Sequence, residues 1–365
     1  MLRVAIFLAI ALVVLASFSF AAFRLLMRLH PRRRRIAGAL VIVCNLMWLF
    51  LPFLNVRTPF LRVARAVLGP PWFAWQCFAI LYSVFMLLVL VTRIPPRPAS
   101  RSFLWMTIVA GTVGCYQALV PLRVERVPIA LRDLPPSLDG TRVALLADLH
   151  VGLFTRRSRL RQFFATTNEL RPDIVLLAGD LVDDDPVYLP KLIDGMRPLD
   201  PSRPLFAVLG NHEMYGAPEE FIARIHNTRI RLLVNEGTDV RGLWIAGISD
   251  YAAQIPKLRP DMAAALRARP PEAFPIVVSH QPKSFDEARR RGIALTVCAH
   301  THGGQCGFRP LRWSLAGLFL RHHMGLYRVS GAQLYVNTGS GFWLLPFRLG
   351  MTPEITLIEL RRTPR

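Results

Sequence analysis

Five short blocks carry most of the chemistry this chain can do. In chain order they are Asp148-Leu149-His150, Gly179-Asp180, Gly210-Asn211-His212-Glu213, Ser279-His280 and His300-Thr301-His302-Gly303-Gly304. Aspartate, histidine and asparagine together make a mixed oxygen and nitrogen donor set. Such a set suits Mn, Fe or Zn better than Ca or a thiolate-bound structural zinc. Seven residues are candidate ligands: Asp148, His150, Asp180, Asn211, His280, His300 and His302. Seven are too many for one tetrahedral ion, so two ions sharing a carboxylate fit better. Asp180 is the natural bridge, because the glycine before it lets other groups approach.

Each block sits at the end of an apolar run. The runs are Val143–Ala147, Ile174–Ala178, Leu205–Leu209, Ile276–Val278 and Ala294–Ala299, with a further one at Leu243–Ile248. Short apolar runs bounded by turn residues read as buried strands. The stretches Arg157–Leu170, Pro218–Ile230 and Ser284–Arg291 read as intervening helices, and Gly325–Leu360 as further strands joined by hairpins. The class is α/β, and ligands at the carboxyl ends of neighbouring strands converge on one sheet edge. A straight strand points Asp148 and His150 to opposite faces, so the chain must turn after Asp148. The same holds for His300 and His302.

These blocks resemble the calcineurin-like metallophosphoesterase family, whose pattern is D-x-H, G-D, G-N-H-(D/E), H and G/A-H-x-H in that order. The match runs over about residues 141–305, and its last block reads Ala299-His300-x-His302. His302-Gly303-Gly304-Gln305 and Pro353-Glu354 look like the bacterial membrane-associated branch. The resemblance implies a four-layer αββα sandwich and a ligand split. One metal takes Asp148, His150, Asp180 and His302; the other takes Asp180, Asn211, His280 and His300. Metal identity stays open among Mn, Fe and Zn. It also implies that His212 is not a ligand but a proton donor to the leaving oxygen.

Two divalent ions and two aspartates leave the site with residual positive charge, which favours a phosphate. Ions about 3.5–4 Å apart stabilise both the attacking and the leaving oxygen, with a bridging water attacking phosphorus in line. The expected reaction is hydrolysis of a phosphomonoester, phosphodiester or pyrophosphate. The branch includes UDP-diacylglucosamine hydrolases, which suggests a lipid-linked pyrophosphate. Two rival readings are a non-enzymatic membrane sensor or scaffold that retains the fold, and a nuclease. Intact ligands and His212 argue against the scaffold. No aromatic-plus-basic nucleic-acid motif stands out for the nuclease.

Composition separates the chain into two parts. The 365 residues carry a net charge of +21, yet 52% are hydrophobic and the mean hydropathy is +0.34. That combination excludes disorder and fits a membrane protein with a folded domain attached. Residues 1–127 hold 15 Arg, no Lys and one acid, Glu125, a net of +14. Four segments there lack charge over a spanning length: Val4–Phe23, Ile36–Leu54, Trp72–Thr92 and Ser102–Leu122. The isolated polar residues Asn45 and Gln76 are expected to face other helices. The expected division is a transmembrane unit of about four helices at 1–127, a linker at 128–140 and a catalytic domain at 141–365. Arg24, Arg28 and Arg32–Arg35, with Arg93, Arg97 and Arg101, mark the cytoplasmic loops. This puts the catalytic domain outside the cytoplasm, which conflicts with a cytoplasmic nucleotide-sugar lipid as substrate.

The remaining residues are read more plainly. Glu213 is expected to support the site rather than ligate, and Asp183–Asp185 to form a solvated loop in which Asp183 could orient a ligand. Asp250 lies near the rim. Cys298 and Cys306 flank the last block without a zinc-type spacing, and neither is expected to ligate metal. Residues Phe308–Met324 are apolar with a basic edge, as an interfacial segment would be.

Overall fold

The computed structural model describes residues 2–46 and 58–363, in two compact units divided between Thr112 and Val113. The first unit holds helices α1 (Leu2–Leu29), α2 (Arg34–Asn45), α3 (Pro59–Thr92) and most of α4 (Pro96–Leu119). Among the described residues, three stretches are long and apolar enough to cross a membrane: Leu12–Leu29, Val67–Thr92 and Pro96–Leu119. The expected span Ile36–Leu54 lies partly outside the described residues. The polar side chains turn inward between helices. Gln76 Nε2 donates to Asn45 Oδ1 at 3.2 Å, and Trp75 Nε1 donates to Ser19 Oγ at 2.6 Å. Such pairing answers polar groups that hydrocarbon cannot solvate.

The second unit is two six-stranded sheets packed face to face, with a separate two-stranded ribbon of β10 (Gly307–Phe308) and β11 (Trp313–Ser314). The first has the order β1 (Arg123–Leu131), β14 (Glu354–Arg362), β2 (Arg142–Leu146), β3 (Ile174–Ala178), β4 (Leu205–Val208), β5 (Arg231–Leu232). The second has the order β12 (Gly325–Val329), β13 (Ala332–Val336), β9 (Leu295–Cys298), β8 (Phe274–Ser279), β7 (Leu243–Ile248), β6 (Glu236–Val240). Strands β2 to β4 run parallel, as do β7 to β9. Their carboxyl ends therefore share one edge of each sheet.

The strands are apolar throughout because both faces are covered. Val143, Leu145 and Ala147 face the other sheet with Ile276, Val278 and Val297. Their neighbours Ala144 and Leu146 face helix α5 (Arg157–Glu169). Leu160, Phe163, Phe164 and Thr167 are the buried face of α5, spaced as a helix stripe requires. On the far side Trp244 and Ala246 pack under helix α9 (Met262–Arg267), and Val277 meets Ala288 of helix α10 (Phe285–Arg290). Helix, sheet, sheet, helix makes the four-layer α/β sandwich.

Two expectations are corrected. The segment read as a linker, residues 128–140, is partly strand: β1 runs through Pro128 and pairs in parallel with β14. Pro128 is tolerated because β1 is an edge strand, where one missing donor faces outward. The tail is one hairpin, β12–β13, followed by a crossover that puts β14 into the other sheet.

Candidate metal centre

The five blocks form the loops that leave β2, β3, β4, β8 and β9. Five of the seven expected ligands adopt left-handed backbone: Asp148 (φ 51°), His150 (42°), Asp180 (51°), His300 (72°) and His302 (50°). Each such non-glycine residue costs about 1 kcal/mol or more. The strain is how side chains that would alternate along a strand come to face one point. Hydrogen bonds hold the turned loops together: Asp148 N donates to Gly179 O, and His150 N to Asp180 O, both at 3.0 Å. Gly179 is required here. At φ 84° a Cβ would come within 2.7 Å of His280 Nδ1 and 2.9 Å of Gly210 Cα.

The donor atoms gather in three groups. Asp148, His150 and His302 form the first and Asp180, His280 and His300 the second, while a third, His150, Asp183 and His212, adjoins the first through His150. In the first, His150 Nε2 is 3.0 Å from His302 Nε2, and His302 Nε2 is 3.7 Å from Asp148 Oδ1. In the second, His280 Nε2 is 3.1 Å from Asp180 Oδ2, 3.1 Å from Asn211 Oδ1 and 3.2 Å from His300 Nδ1. Asp180 Oδ2 also lies 3.6 Å from His150 Nε2, so this carboxylate reaches both groups. All seven expected ligands thus converge.

The site fits a bound cation on its own chemistry. Asp148 is fully buried, yet among the described residues neither carboxylate oxygen has a hydrogen-bond partner of good geometry. A buried carboxylate without donors is costly unless a positive charge answers it. Burial pushes Asp148 up to about 7, against the pull of His280. Burial and neighbouring positive groups hold His150 and His302 well below the usual imidazole range, and His300 is lowered to about 4. The downward shift of all three rings favours the neutral form, which is the form that ligates metal. Burial opposes charge on His280 too, but Asp180 and Asp148 outweigh it and raise it to about 10. His280 Nδ1 donates to Ala178 O at 2.8 Å, which aims Nε2 into the cluster.

The supporting residues are partly those expected. Glu213 accepts from four backbone amides: Asp180 at 3.0 Å, Leu181 at 2.8 Å, Val182 at 3.1 Å and Gly210 at 2.7 Å. It clamps the Gly179-Asp180 loop to the turn of helix α7 (Asn211–Tyr215). His212 stands edge-on to His150, with ring centres 4.5 Å apart. Its Nδ1 is 2.7 Å from Asp184 Oδ1. Burial disfavours its charge, but Asp184, Asp180 and Asp183 prevail and raise it to about 9. The acid beside His212 is therefore Asp184, whereas Asp183 lies 3.6 Å from it and 3.9 Å from His150 Nδ1. Asp250 is buried and accepts from Gln281, the neighbour of His280. Cys298 and Cys306 are free thiols.

Sequence reading missed Arg348. Its guanidinium is fully buried and donates to His302 Nδ1 at 3.0 Å. It also donates to the carbonyls of Gly341 (2.7 Å), Thr338 (2.8 Å) and Met351 (3.1 Å). The only signal was an arginine inside an apolar, glycine-rich tail.

Residues 141–304 match the calcineurin-like phosphoesterase family. The chain carries a calcineurin-like metallophosphoesterase domain. A "Transmembrane protein with metallophosphoesterase domain" from Danio rerio is 33% identical over 70% of this chain and 61% of its own length. The Bos taurus protein of the same name is 30% identical over 73% of this chain and 63% of its own. An uncharacterized metallophosphoesterase of Helicobacter pylori is 31% identical over 68% and 66%. The chain therefore spans somewhat under two thirds of the length of these relatives. The family is metal-dependent, and the aspartates and histidines clustered in this domain are grouped closely enough to bind a metal ion.

Proposed function

We propose that this chain is a membrane-anchored phosphohydrolase that holds two metal ions and cleaves a phosphoester or pyrophosphate bond. The observation that carries the reading is the pair of donor groups sharing Asp180, with the orphaned carboxylate of Asp148 in one of them. Asp148, His150, Asp180 and His302 would hold one ion; Asp180, Asn211, His280 and His300 the other. Bound there, the ions supply Lewis acidity toward a phosphoryl oxygen and lower the pKa of water.

The chain's own residues do the rest. Asp180 spans the two groups and fixes their spacing. Glu213 holds the Asp180 loop through four amides, so that carboxylate stays aimed. His212, kept protonated by Asp184, donates a proton to the leaving oxygen. Helices α1 to α4 anchor the enzyme, and the two-sheet unit that begins with β1 is its catalytic domain. The arginine asymmetry of the loops favours an extracytoplasmic catalytic domain, and anchoring favours a lipid-linked phosphate as substrate.

Hydrolysis of bis-p-nitrophenyl phosphate by the full chain in detergent, with and without Mn, tests the reaction. Mn-dependent turnover that Asp180→Asn abolishes is the expected result. An inert metal-loaded protein, or an unaltered Asp180→Asn variant, would overturn it and leave the scaffold reading. A reporter fused after Arg365 reads the sidedness independently.

A further inference from the structure

Isolated exposed apolar residues are ordinary on any soluble domain, whereas a contiguous cluster is not. Residues 308–320 form such a cluster. Leu311, Trp313, Leu318, Phe319 and Leu320 are all exposed, Phe319 at 83% and Leu311 at 76%. The segment is not loose. Leu315 N donates to Cys306 O at 2.8 Å, and Ser314 and Ala316 are buried beneath it. Ser314 Oγ lies 2.8 Å from His323 Nδ1, and Thr301 Oγ1 donates to His323 O at 2.7 Å. Thr301 stands between His300 and His302, so the apolar rim is built on the loop that carries two expected ligands.

Charge supplies the second observation. Residues 288–353 contain eight arginines and no Asp, Glu or Lys. Arg309 pairs with Glu354 and Arg348 is buried. Arg312, Arg321 and Arg328 are exposed on or next to the apolar segment. An apolar surface with a basic edge complements an anionic bilayer interface, where hydrocarbon takes the apolar side chains and phosphates meet the arginines.

Position supplies the third. The last turns of α4 dock on the loop 341–350: Arg348 N donates to Gly114 O at 3.0 Å and Gly350 N to Gln117 Oε1 at 2.7 Å. A Cβ at Gly114 would overlap the Phe347 ring. The same loop holds the start of the apolar segment, because Gly307 N donates to Leu349 O at 2.9 Å and Leu349 N to Gln305 O at 2.8 Å. Within the second unit, residues 114–117 and the apolar rim therefore share one support.

We propose that residues 308–321 are a docking surface for the anionic bilayer, which seats the mouth of the metal centre at headgroup level. Phe319, Leu318 and Leu311 enter the interface, while Arg321 and Arg328 meet lipid phosphates. The inference rests on the reading that the chain is membrane-anchored, and deepens it by naming the surface the domain uses.

Hydrogen exchange of the full chain in nanodiscs tests it. One set of discs contains phosphatidylcholine alone, the other phosphatidylcholine with phosphatidylglycerol. The amides of 308–321 should exchange at least ~10-fold more slowly on the anionic discs, while α9 and β6 exchange equally on both. The pair Leu318→Asp and Phe319→Asp should abolish that protection, and Arg321→Glu should weaken it. Hydrolysis of bis-p-nitrophenyl phosphate, a soluble ester, should stay within about twofold in these variants, which also shows that they fold. Equal exchange on the two surfaces overturns the proposal. So does protection that follows protein concentration rather than lipid charge, since a second copy would then be the cover. Protection in a chain that hydrolyses nothing would keep the docking surface and sink the phosphohydrolase reading. Hydrolysis without protection would do the reverse.

Discussion

The two donor groups use the same residue types but are held differently. The group around His280 is braced by the fold: its ring is aimed by Ala178 O, and Asp180 Oδ1 accepts from His212 N at 2.9 Å. The group around Asp148 contains a buried carboxylate whose oxygens have no hydrogen-bond partner of good geometry among the described residues, beside an imidazole touched by a buried guanidinium. One half is satisfied by protein alone. The other would find its missing partner in a bound cation, which would link its stability to its metal affinity.

The strongest way to break the comparison is to remove what the halves share. Asp180→Asn should lower turnover by about three orders of magnitude or more and reduce metal content measured by elemental analysis at both groups. Retention of one full equivalent at wild-type affinity would show that Asp180 is no bridge.

Next comes a change with opposite signs in the two states. Asp148→Asn should cost activity by about 100-fold or more, yet stabilise the chelator-treated protein by ~1 kcal/mol. Melting in detergent with and without chelator reads this directly. The pH dependence follows. Folded Asp148 keeps its proton to about 7, against 3.8 for an ordinary carboxyl. Between those values the folded state binds more protons than the unfolded one, so stability falls as pH rises. That slope should be shallower in Asp148→Asn. Identical slopes would place the effect elsewhere.

Smaller effects sharpen the difference. Arg348→Met should weaken metal binding at the Asp148 group by about 10- to 100-fold and leave the His280 group nearly unchanged. A metal titration with two resolved sites separates these outcomes. Asp184→Asn should act through His212 alone. A fall in kcat of about tenfold with unaltered metal content is expected, and the loss should be smaller for substrates with a good leaving group, which need less protonation.

The candidate ligands were legible because each is a polar residue ending an apolar run. The strands β2, β3, β4, β7, β8 and β9 follow the same logic, since a doubly covered strand is a short unbroken apolar stretch. Helices α7 and α9, and α6 (Leu189–Gly195), were not read, because five to seven residues give too few turns for a stripe to show. The edge strand β1 was not read either. Its partner β14 lies more than two hundred residues away, and such pairing leaves no local mark. Asp184 stood unnoticed in a run of three acids whose members differ only in where the loop points them.

The sequence by itself determined the chemistry: which residue types are present, that each follows a strand, and that a charge-poor, arginine-flanked region precedes them. Tertiary structure decided the geometry. Left-handed backbone at five of the candidate ligand positions turns alternating side chains toward one point, and only packed loops can sustain that strain. Packing also brought Arg348 to His302 and set the exposed segment 308–320 on the metal loop. Contacts between residues far apart in the chain depend on how two sheets meet, which no local pattern encodes.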